Sequence, residues 1–348
     1  MAPTIYDIAR EAKVGIGTVS RVFNNHPSVS DETRKRVMRV ATRMNYHPHP
    51  LARGLAQRRT NAILVFVPFF TSFFFVEILE AVQSTLSEVD CDLILHGITH
   101  PDHAEISLRR NSFRGRVDGI LFFSMRMPEE FAAEYAHLRV PVVLVDTHDD
   151  RFDSFSVQNV HGGMGATEHL IRQGHTRIGM LNASLDSPPA RERLAGFRQA
   201  MRDARLPLRE EWILSSPSGP LDGFTKQSGQ ALMKQLLSLP RHDRPSALVV
   251  SSDIQAIGAL QELGQSGLRC PDDIAVTGFD DIEIAAHFNL TTIRQPMSEM
   301  GALAARRLLE RMKDPEIPVV QKTFEPELIV RGTTAVPPVK STRQSRRA

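Results

Sequence analysis

Cysteine is almost absent: the 348 residues hold two, Cys91 and Cys270. Two isolated thiols make no disulfide framework and fit a reducing compartment. No run reaches the roughly 18 apolar residues that a membrane-spanning helix needs. The opening residues MAPTIYDIAREAK lack the apolar core of a secretory signal. A cytoplasmic chain is therefore expected. The signatures of common enzymes are missing too: there is no Gly-x-Ser-x-Gly elbow and no Walker loop. Gly162-Gly163-Met164-Gly165 is glycine-rich. It is a lone cluster that follows no strong strand, so it is weak as a phosphate cradle. His96, His100 and His103 have no second ligand pair, and His47 and His49 stand likewise. No metal, no organic cofactor and no catalytic residue is expected.

Charge of one sign is also lacking across the whole chain, whose formal net charge is +2. Divided along the chain, the balance changes. Residues 1–60 hold 11 Lys/Arg against 4 Asp/Glu, residues 61–336 hold 27 against 36, and the tail adds four cations. A small basic head on an acidic body suits contact with a polyanion. A solvated helical face with surplus Lys/Arg is the plainer explanation, and charge alone does not separate the two.

The head has the pattern of three helices. Thr4 and Asp7 form a capping pair, and Ile5, Ile8, Ala9 and Ala12 share one face. Lys13-Val14-Gly15 is a short turn. Ile16 to Phe23 follows with Val19, Val22 and Phe23 as its stripe. A third helix opens at Ser30, with Thr33 one turn on and Val37, Val40, Ala41 and Met44 turned inward. Two short helices joined by a tight turn and braced by a third make a helix-turn-helix. The slim start of the second helix (Ile16, Gly17, Thr18) can approach base edges closely. Arg21 can reach guanine O6/N7 or a phosphate. Thr4, Tyr6, Ser20, Asn24, Ser30 and Thr33 are neutral donors near helix ends, suited to phosphate oxygens. A ligand-free helical bundle is the competing reading, and the basic charge and exposed polar cluster stand against it.

Thr4-Ile5-Tyr6-Asp7-Ile8-Ala9, together with Thr18-Val19-Ser20-Arg21-Val22, resembles the headpiece of the lac repressor/galactose repressor family. The likeness continues through Val29-Ser30, Arg34, Val37, Ala41, Tyr46-x-Pro48 and Ala52-Arg53-x-Leu55, and covers essentially the whole chain except its tail. It implies that Ile16, Gly17 and Arg21 read the major groove. It implies that Pro50 to Gln57 is a hinge helix that folds on DNA in a dimer. Leu55 would be the wedge in the minor groove, with Ala52 and Arg53 beside it. An apolar wedge unstacks a base step and bends the duplex, which lets both headpieces engage. The chain departs from the pattern at Gly15, where Ser is usual as the cap, and at Gly17, which gives up a base contact. His49-Pro50 stiffens the approach to the hinge, and Gly54 weakens it by roughly 1 kcal/mol against Ala.

From Ala62 onward, short apolar strands alternate with helical patterns, which argues for parallel sheets. The pattern restarts after Asn159, giving two α/β lobes in tandem. Elements left over after Thr291 suggest that the chain crosses back to complete both lobes. This matches the two-lobed, periplasmic-binding-protein-like (type I) α/β body that the family carries. The expected organisation is an all-α helix-turn-helix headpiece at 1–49, a hinge at 50–60, and an effector and dimerisation body at 61–336. The first lobe takes about 61–159 plus 291–322, the second about 160–290 plus 323–336. A disordered basic tail fills 337–348.

Ligands of doubly wound sheets sit beyond the C-terminal strand ends, here the cleft between the lobes. Asp280 ends the strand Ala275 to Phe279, and its carboxylate can accept two hydroxyls. Asp280 and Arg193 match the family's principal effector contacts, with Arg191 the second choice to Arg193. Ser252 ends another strand, and Asp253 reads first as the N-cap of the helix from Ile254. Gln295 can close the cleft. Phe69 to Phe75 holds five phenylalanines in seven positions. Phe73 and Phe75 are the candidates from it for stacking, and lobe packing claims the rest. Phe123, at a strand end, is divided between cleft and core. His161 stands either at the ligand or at the lobe crossover.

The expected partners are a pseudo-palindromic operator DNA, a second copy of the chain, and a small molecule. A sugar or sugar derivative is favoured, with a purine or nucleoside as the alternative. The tail carries no leucine heptad, so a homodimer is expected, working as a cytoplasmic, nucleoid-associated repressor. An exported solute-binding protein would share the body, but not the head.

Overall fold

A computed structural model describes residues 3–23, 26–46, 60–68, 72–98, 117–125, 127, 129–137, 140–217 and 220–334. The chain divides into two compact units, one holding the N-terminal residues through Ala62, the other almost everything from Ile63 onward.

The N-terminal unit contains α1 (Ile5–Ala12), α2 (Ile16–Phe23) and α3 (Asp31–Arg43). The Asp7 carboxylate takes the Thr4 backbone N–H at 2.9 Å and the Thr4 hydroxyl at 2.7 Å, which fixes the start of α1. Lys13 ends it in the left-handed region at φ 50°. Gly15 opens α2: its carbonyl accepts from the Thr18 and Val19 N–H groups at 2.8 and 3.1 Å. Ser30 caps α3 by accepting the Thr33 N–H at 3.4 Å. Ile8, Ala12, Val19, Val22, Val37, Val40 and Ala41 close a small shared core. Where the chain leaves this unit, the Asp118 carboxylate accepts from the Thr60 and Asn61 N–H groups, each at 2.8 Å, and from the Thr60 hydroxyl at 2.9 Å.

The second unit runs β1 (Ala62–Val67), α4 (Phe73–Ser87), β2 (Asp92–Gly97), β3 (Gly119–Phe123), α5 (Glu129–His137), β4 (Val142–Val145) and β5 (Asp153–Val157). It continues with α6 (Asn159–Arg172), β6 (Ile178–Asn182), α7 (Pro188–Asp203), β7 (Ile213–Ser215), α8 (Lys226–Leu237), β8 (Ala247–Val250), α9 (Asp253–Gln265) and β9 (Ala275–Thr277). It closes with α10 (Glu283–His287), β10 (Thr292–Arg294), α11 (Met297–Lys313), β11 (Gln321–Phe324) and β12 (Glu327–Ile329).

Six strands form the first lobe's sheet in the order β11-β5-β4-β3-β1-β2, and four form the second's as β7-β6-β8-β9. From β11 through β1 the first sheet is parallel, as is the second throughout. The central strands β1, β3, β4, β6 and β8 are buried at every residue. That is why they read as unbroken apolar runs: helices cover both faces. An antiparallel ribbon of β10 and β12 finishes the second lobe.

This ribbon moves two expected boundaries. Thr291 bridges Thr277 and Arg294 bridges Asp280, so residues 291–294 belong to the second lobe, not the first. β11 pairs with β5 through Phe324, so 323–324 belong to the first lobe, not the second. Strand pairing decides both boundaries, and apolar periodicity carries no information about it.

The glycine cluster has a packing role. A Cβ on Gly163 would lie 2.3 Å from the Arg193 carbonyl oxygen, and one on Gly196 would lie 2.0 Å from that of Val160. Only glycine allows α6 and α7 to approach so closely, and the approach sets where Arg193 stands. Neither cysteine is in a disulfide, and both are half-buried. Among the described residues, no helix is long and apolar enough to cross a membrane.

Candidate functional site

In the N-terminal unit, Thr4, Tyr6, Ile16, Gly17, Arg21 and Ser30 are exposed, while Thr18, Ser20 and Thr33 are half-buried. On α1 and α2, Tyr6 and Ile16 are large apolar or aromatic side chains left in water, at 63% and 42% exposure, and Met38 on α3 is exposed as well. The core already claims the opposite faces of α1 and α2, so the faces that remain carry Tyr6, Ile16, Gly17 and Arg21. The site of a Cβ on Gly17 lies 3.7 Å from Arg21 Nη2, so the guanidinium lies along the surface that Gly17 leaves bare. The hydroxyls of Ser30 and Thr33 bond to each other at 3.0 Å. Asn24, Ala52, Arg53 and Leu55 lie outside the described residues.

In the second unit, the ends of β3, β4, β8 and β9 face a cavity of about 50 Å³ between the lobes. Arg193, on α7, crosses its floor and is 3% exposed. Its Nε donates to Asn159 Oδ1 at 2.9 Å and its Nη1 to the Ser251 carbonyl at 2.6 Å. The guanidinium lies 3.7 Å from the Phe279 ring centre and 5.8 Å from that of Phe224. Asp280 Oδ1 lies 3.6 Å from Nη1. Burial pulls the Arg193 pKa down, against the charges of Asp280 and Asp146.

Asp280 sits at φ 119°, a conformation rare for a residue with a side chain. It is held there from both sides. Its N–H donates to the Ile293 carbonyl at 2.7 Å, and its carbonyl accepts the Gln295 N–H at 3.2 Å. Gln295 Nε2 donates to its carboxylate at 2.7 Å. Burial pushes the Asp280 carboxyl up to about 7, against the pull of Arg193 and the Gln295 hydrogen bond. Next in the chain, Asp281 ties the loop down through Arg331 and Arg294 at 2.7 and 2.8 Å.

The facing carboxylate is Asp146, at the end of β4. Ser124, at the end of β3, donates to its Oδ2 at 2.5 Å. Its Oδ1 is buried with no hydrogen-bond partner. Burial pushes this carboxyl up to about 6, against the Ser124 bond and Arg193. Burial, and then the charge of Asp280, also holds Asp253 well above the usual carboxylate range.

Arg193, Asp280, Ser252 and Phe75 come together on the cavity wall. Phe73 lines a second compartment of about 210 Å³, which shares Ser72, Phe74, Phe224, Ile254 and Asp280 with the first. Gln295 supports Asp280 from behind. Phe123 is fully buried and stacks on Phe75 with ring centres 6.2 Å apart, so it backs the wall. His161 is not among the lining residues of either compartment: its Nδ1 meets Glu325 Oε2 at 3.0 Å, beside the crossover. Arg191 turns to the carbonyls of Leu185 and Asp186. Asp253 is not the cap of α9. Ser252 is, accepting the Gln255 N–H, while the Asp253 carboxylate takes the Ile282 N–H and the Thr292 hydroxyl.

Asp146 and Ser124 escaped the sequence reading, although the strand-end rule that picked Asp280 picks them equally. Asp222 and Phe224 also line the cavity. They lie several residues beyond the short strand β7, and nothing in their sequence context marks them.

Residues 4–49 match the description "Bacterial regulatory proteins, lacI family", and residues 167–334 match "Periplasmic binding protein-like domain". The chain is 34% identical over 335 residues to the HTH-type transcriptional repressor PurR of Vibrio parahaemolyticus, covering 95% of this chain and 98% of that protein. It is 31% identical to catabolite control protein A of Priestia megaterium, covering 90% and 93%. Among solved structures, it resembles the lac repressor dimer bound to operator and the anti-inducer ONPF, with a TM-score of 0.82, 26% identity, and 97% and 100% coverage. It also resembles the complex of the transcriptional regulator CelR with cellobiose, with a TM-score of 0.69, 30% identity, and 95% and 99% coverage. The chain belongs to the lacI family of bacterial regulatory proteins.

Proposed function

We propose that this protein is a repressor that binds a pseudo-palindromic operator as a homodimer and releases or tightens its hold when a small molecule enters the interlobe cleft. The N-terminal helices read DNA through Ile16, Gly17 and Arg21. Thr18 lies on the same base-facing end, and Thr4, Tyr6, Ser20, Asn24, Ser30 and Thr33 hold the phosphates. The segment 50–60, with Ala52, Arg53 and Leu55, forms the hinge that bends the operator. Such a protein works in the cytoplasm.

The observation that carries the ligand half is the pair of buried carboxylates, Asp146 and Asp280, set across the cleft beside Arg193. Hydrogen-bonding groups held dry at strand ends fit a hydroxyl-bearing ligand, so the effector is a sugar or sugar derivative. The cellobiose complex of a relative agrees with this. A purine or nucleoside is the second reading, favoured by Phe74, Phe75 and Phe224 on the same walls. Closure of the lobes around the ligand changes the spacing of the paired headpieces. Coupling of about 1–3 kcal/mol corresponds to roughly 5–150-fold regulation.

Selection of operator sequences from random DNA by the full chain, followed by anisotropy titration, tests this. Arg21→Ala is expected to weaken and relax sequence preference. Asp280→Ala is expected to spare operator binding and abolish the effector response. Operator binding unchanged by Arg21→Ala and by removal of residues 1–60 contradicts the proposal.

A further inference from the structure

The cleft has two compartments of different chemistry. The inner one sets three carboxylates, Asp146, Asp222 and Asp280, against one guanidinium. Among its described lining residues, Arg193 is the only Lys, Arg or His, and its Nε and Nη1 are already engaged. Nε serves Asn159, Nη1 serves Ser251 and faces Asp280, and the guanidinium lies over Phe279. A phosphate or carboxylate placed here meets three carboxyl groups, with one guanidinium among the described lining residues to answer it. The unmet need is for a donor, because Asp146 Oδ1 is buried without a partner.

The outer compartment is apolar by contrast. Phe73, Phe74, Phe224, Ile254 and Ile282 form much of its wall. Its cation, Lys226, is exposed, where water screens it. Asp280, Phe74 and Phe224 belong to both compartments, so a molecule that donates to Asp280 from within continues directly into the apolar space.

We infer that the effector is an uncharged two-ring molecule, with a hydroxylated ring that donates to Asp146 and Asp280 and a second ring that packs on Phe74 and Phe224. The inference rests on the cleft being the effector site. Two sources share this chemistry: a nucleoside, and a disaccharide or aryl glycoside. Single sugars and free bases fill one compartment only. Phosphate esters and sugar acids bring a charge that the inner compartment repels.

Isothermal titration of the full chain tests this with three sets of probes. The two-ring set is adenosine, guanosine, cytidine, uridine, cellobiose, lactose, maltose and p-nitrophenyl glucoside. The single-ring set is ribose, glucose, galactose, adenine and guanine. The anionic set is the nucleoside 5′-monophosphates and glucose 6-phosphate. At least one two-ring probe is expected to bind tenfold or more tighter than either of its own rings and than its phosphate ester. Whether that probe is a nucleoside or a glycoside identifies the source. Phe224→Ala is expected to remove the tenfold advantage of the second ring and leave single-ring binding alone. Asp146→Asn is expected to weaken the two-ring and single-ring hydroxylated probes together. A single ring or a phosphate ester binding as tightly as any two-ring probe, in a manner that Asp280→Ala abolishes, overturns the inference and leaves the cleft reading intact. Binding that Asp280→Ala does not weaken overturns the cleft reading itself. Silence of every two-ring probe at millimolar concentration overturns the inference.

Discussion

Replacing Asp146 with Asn should make the protein more stable and less responsive. Asp146 is buried, and its carboxyl is pushed up to about 6 from an ordinary 3.8. The sign follows from proton counting. Between about pH 4 and 6 the folded state keeps a proton that the unfolded chain has lost. Stability therefore falls as pH rises through that window, and the loss is complete above it. A shift of roughly two pH units corresponds to about 3 kcal/mol. Asn copies the neutral acid in shape and can still bond the Ser124 hydroxyl. The pull of Arg193 is already contained in that shift, so about 3 kcal/mol is the ceiling, and about 2–3 kcal/mol is expected at pH 8. Near pH 4 the parent carboxyl is itself protonated, and the two proteins should match. At roughly 2 °C per kcal/mol for a body of this size, the pH 8 melting temperature should rise by about 4–6 °C. Trp212 is the single tryptophan and is buried against the second lobe's sheet, so its fluorescence follows unfolding of the body. Melts from pH 4.5 to 8.5 decide the matter. A variant less stable than the parent at pH 8, or one with the same pH slope as the parent, refutes the reasoning.

Four further outcomes follow from named contacts. Arg193→Met should destabilise the body by about 3–5 kcal/mol at neutral pH, because it strands Asp280 and Asp146 without their cation. Urea melts should show less damage near pH 5, where both acids carry protons. Gly196→Ala should cost about 1–3 kcal/mol, since its Cβ meets the Val160 carbonyl at 2.0 Å and α6 and α7 must part. Asp118→Ala should release the Thr60 and Asn61 backbone N–H groups, read as faster proteolysis after residue 59 with little change in the body's melt. Leu55→Ala should weaken binding to a selected operator more than to random DNA, measured by competition at fixed salt.

Much of this was legible in the sequence because the signals are local. Caps, apolar stripes and strand-end position all lie within a few residues of the chain. Thr4 with Asp7, the stripes of α1 to α3, and Asp280 at its strand end belong to that class, whereas Arg193, inside a helix, was marked only by the family resemblance. What escaped depends on contacts distant in sequence. β5 reads as polar, Asp153 to Val157, because its first residue is a buried Asp held by Arg307 and Arg311, more than 150 residues away. The lobe boundaries turn on β10 pairing with β12. His161 stands near the cleft in sequence, yet bonds to Glu325. Asp222 and Phe224 reach the cavity from a loop with no pattern of its own.

The central claim is that one molecule joins a DNA-reading head to a ligand-gated cleft. The most direct measurement is operator affinity of the full chain, by anisotropy, with and without the tightest-binding effector, for the parent and Asp280→Ala. The account predicts a 5–150-fold change for the parent. For the variant it predicts no change, with ligand-free operator affinity equal to the parent's. A variant that still responds to the effector, or one that differs from the parent only in its ligand-free grip on DNA, contradicts it.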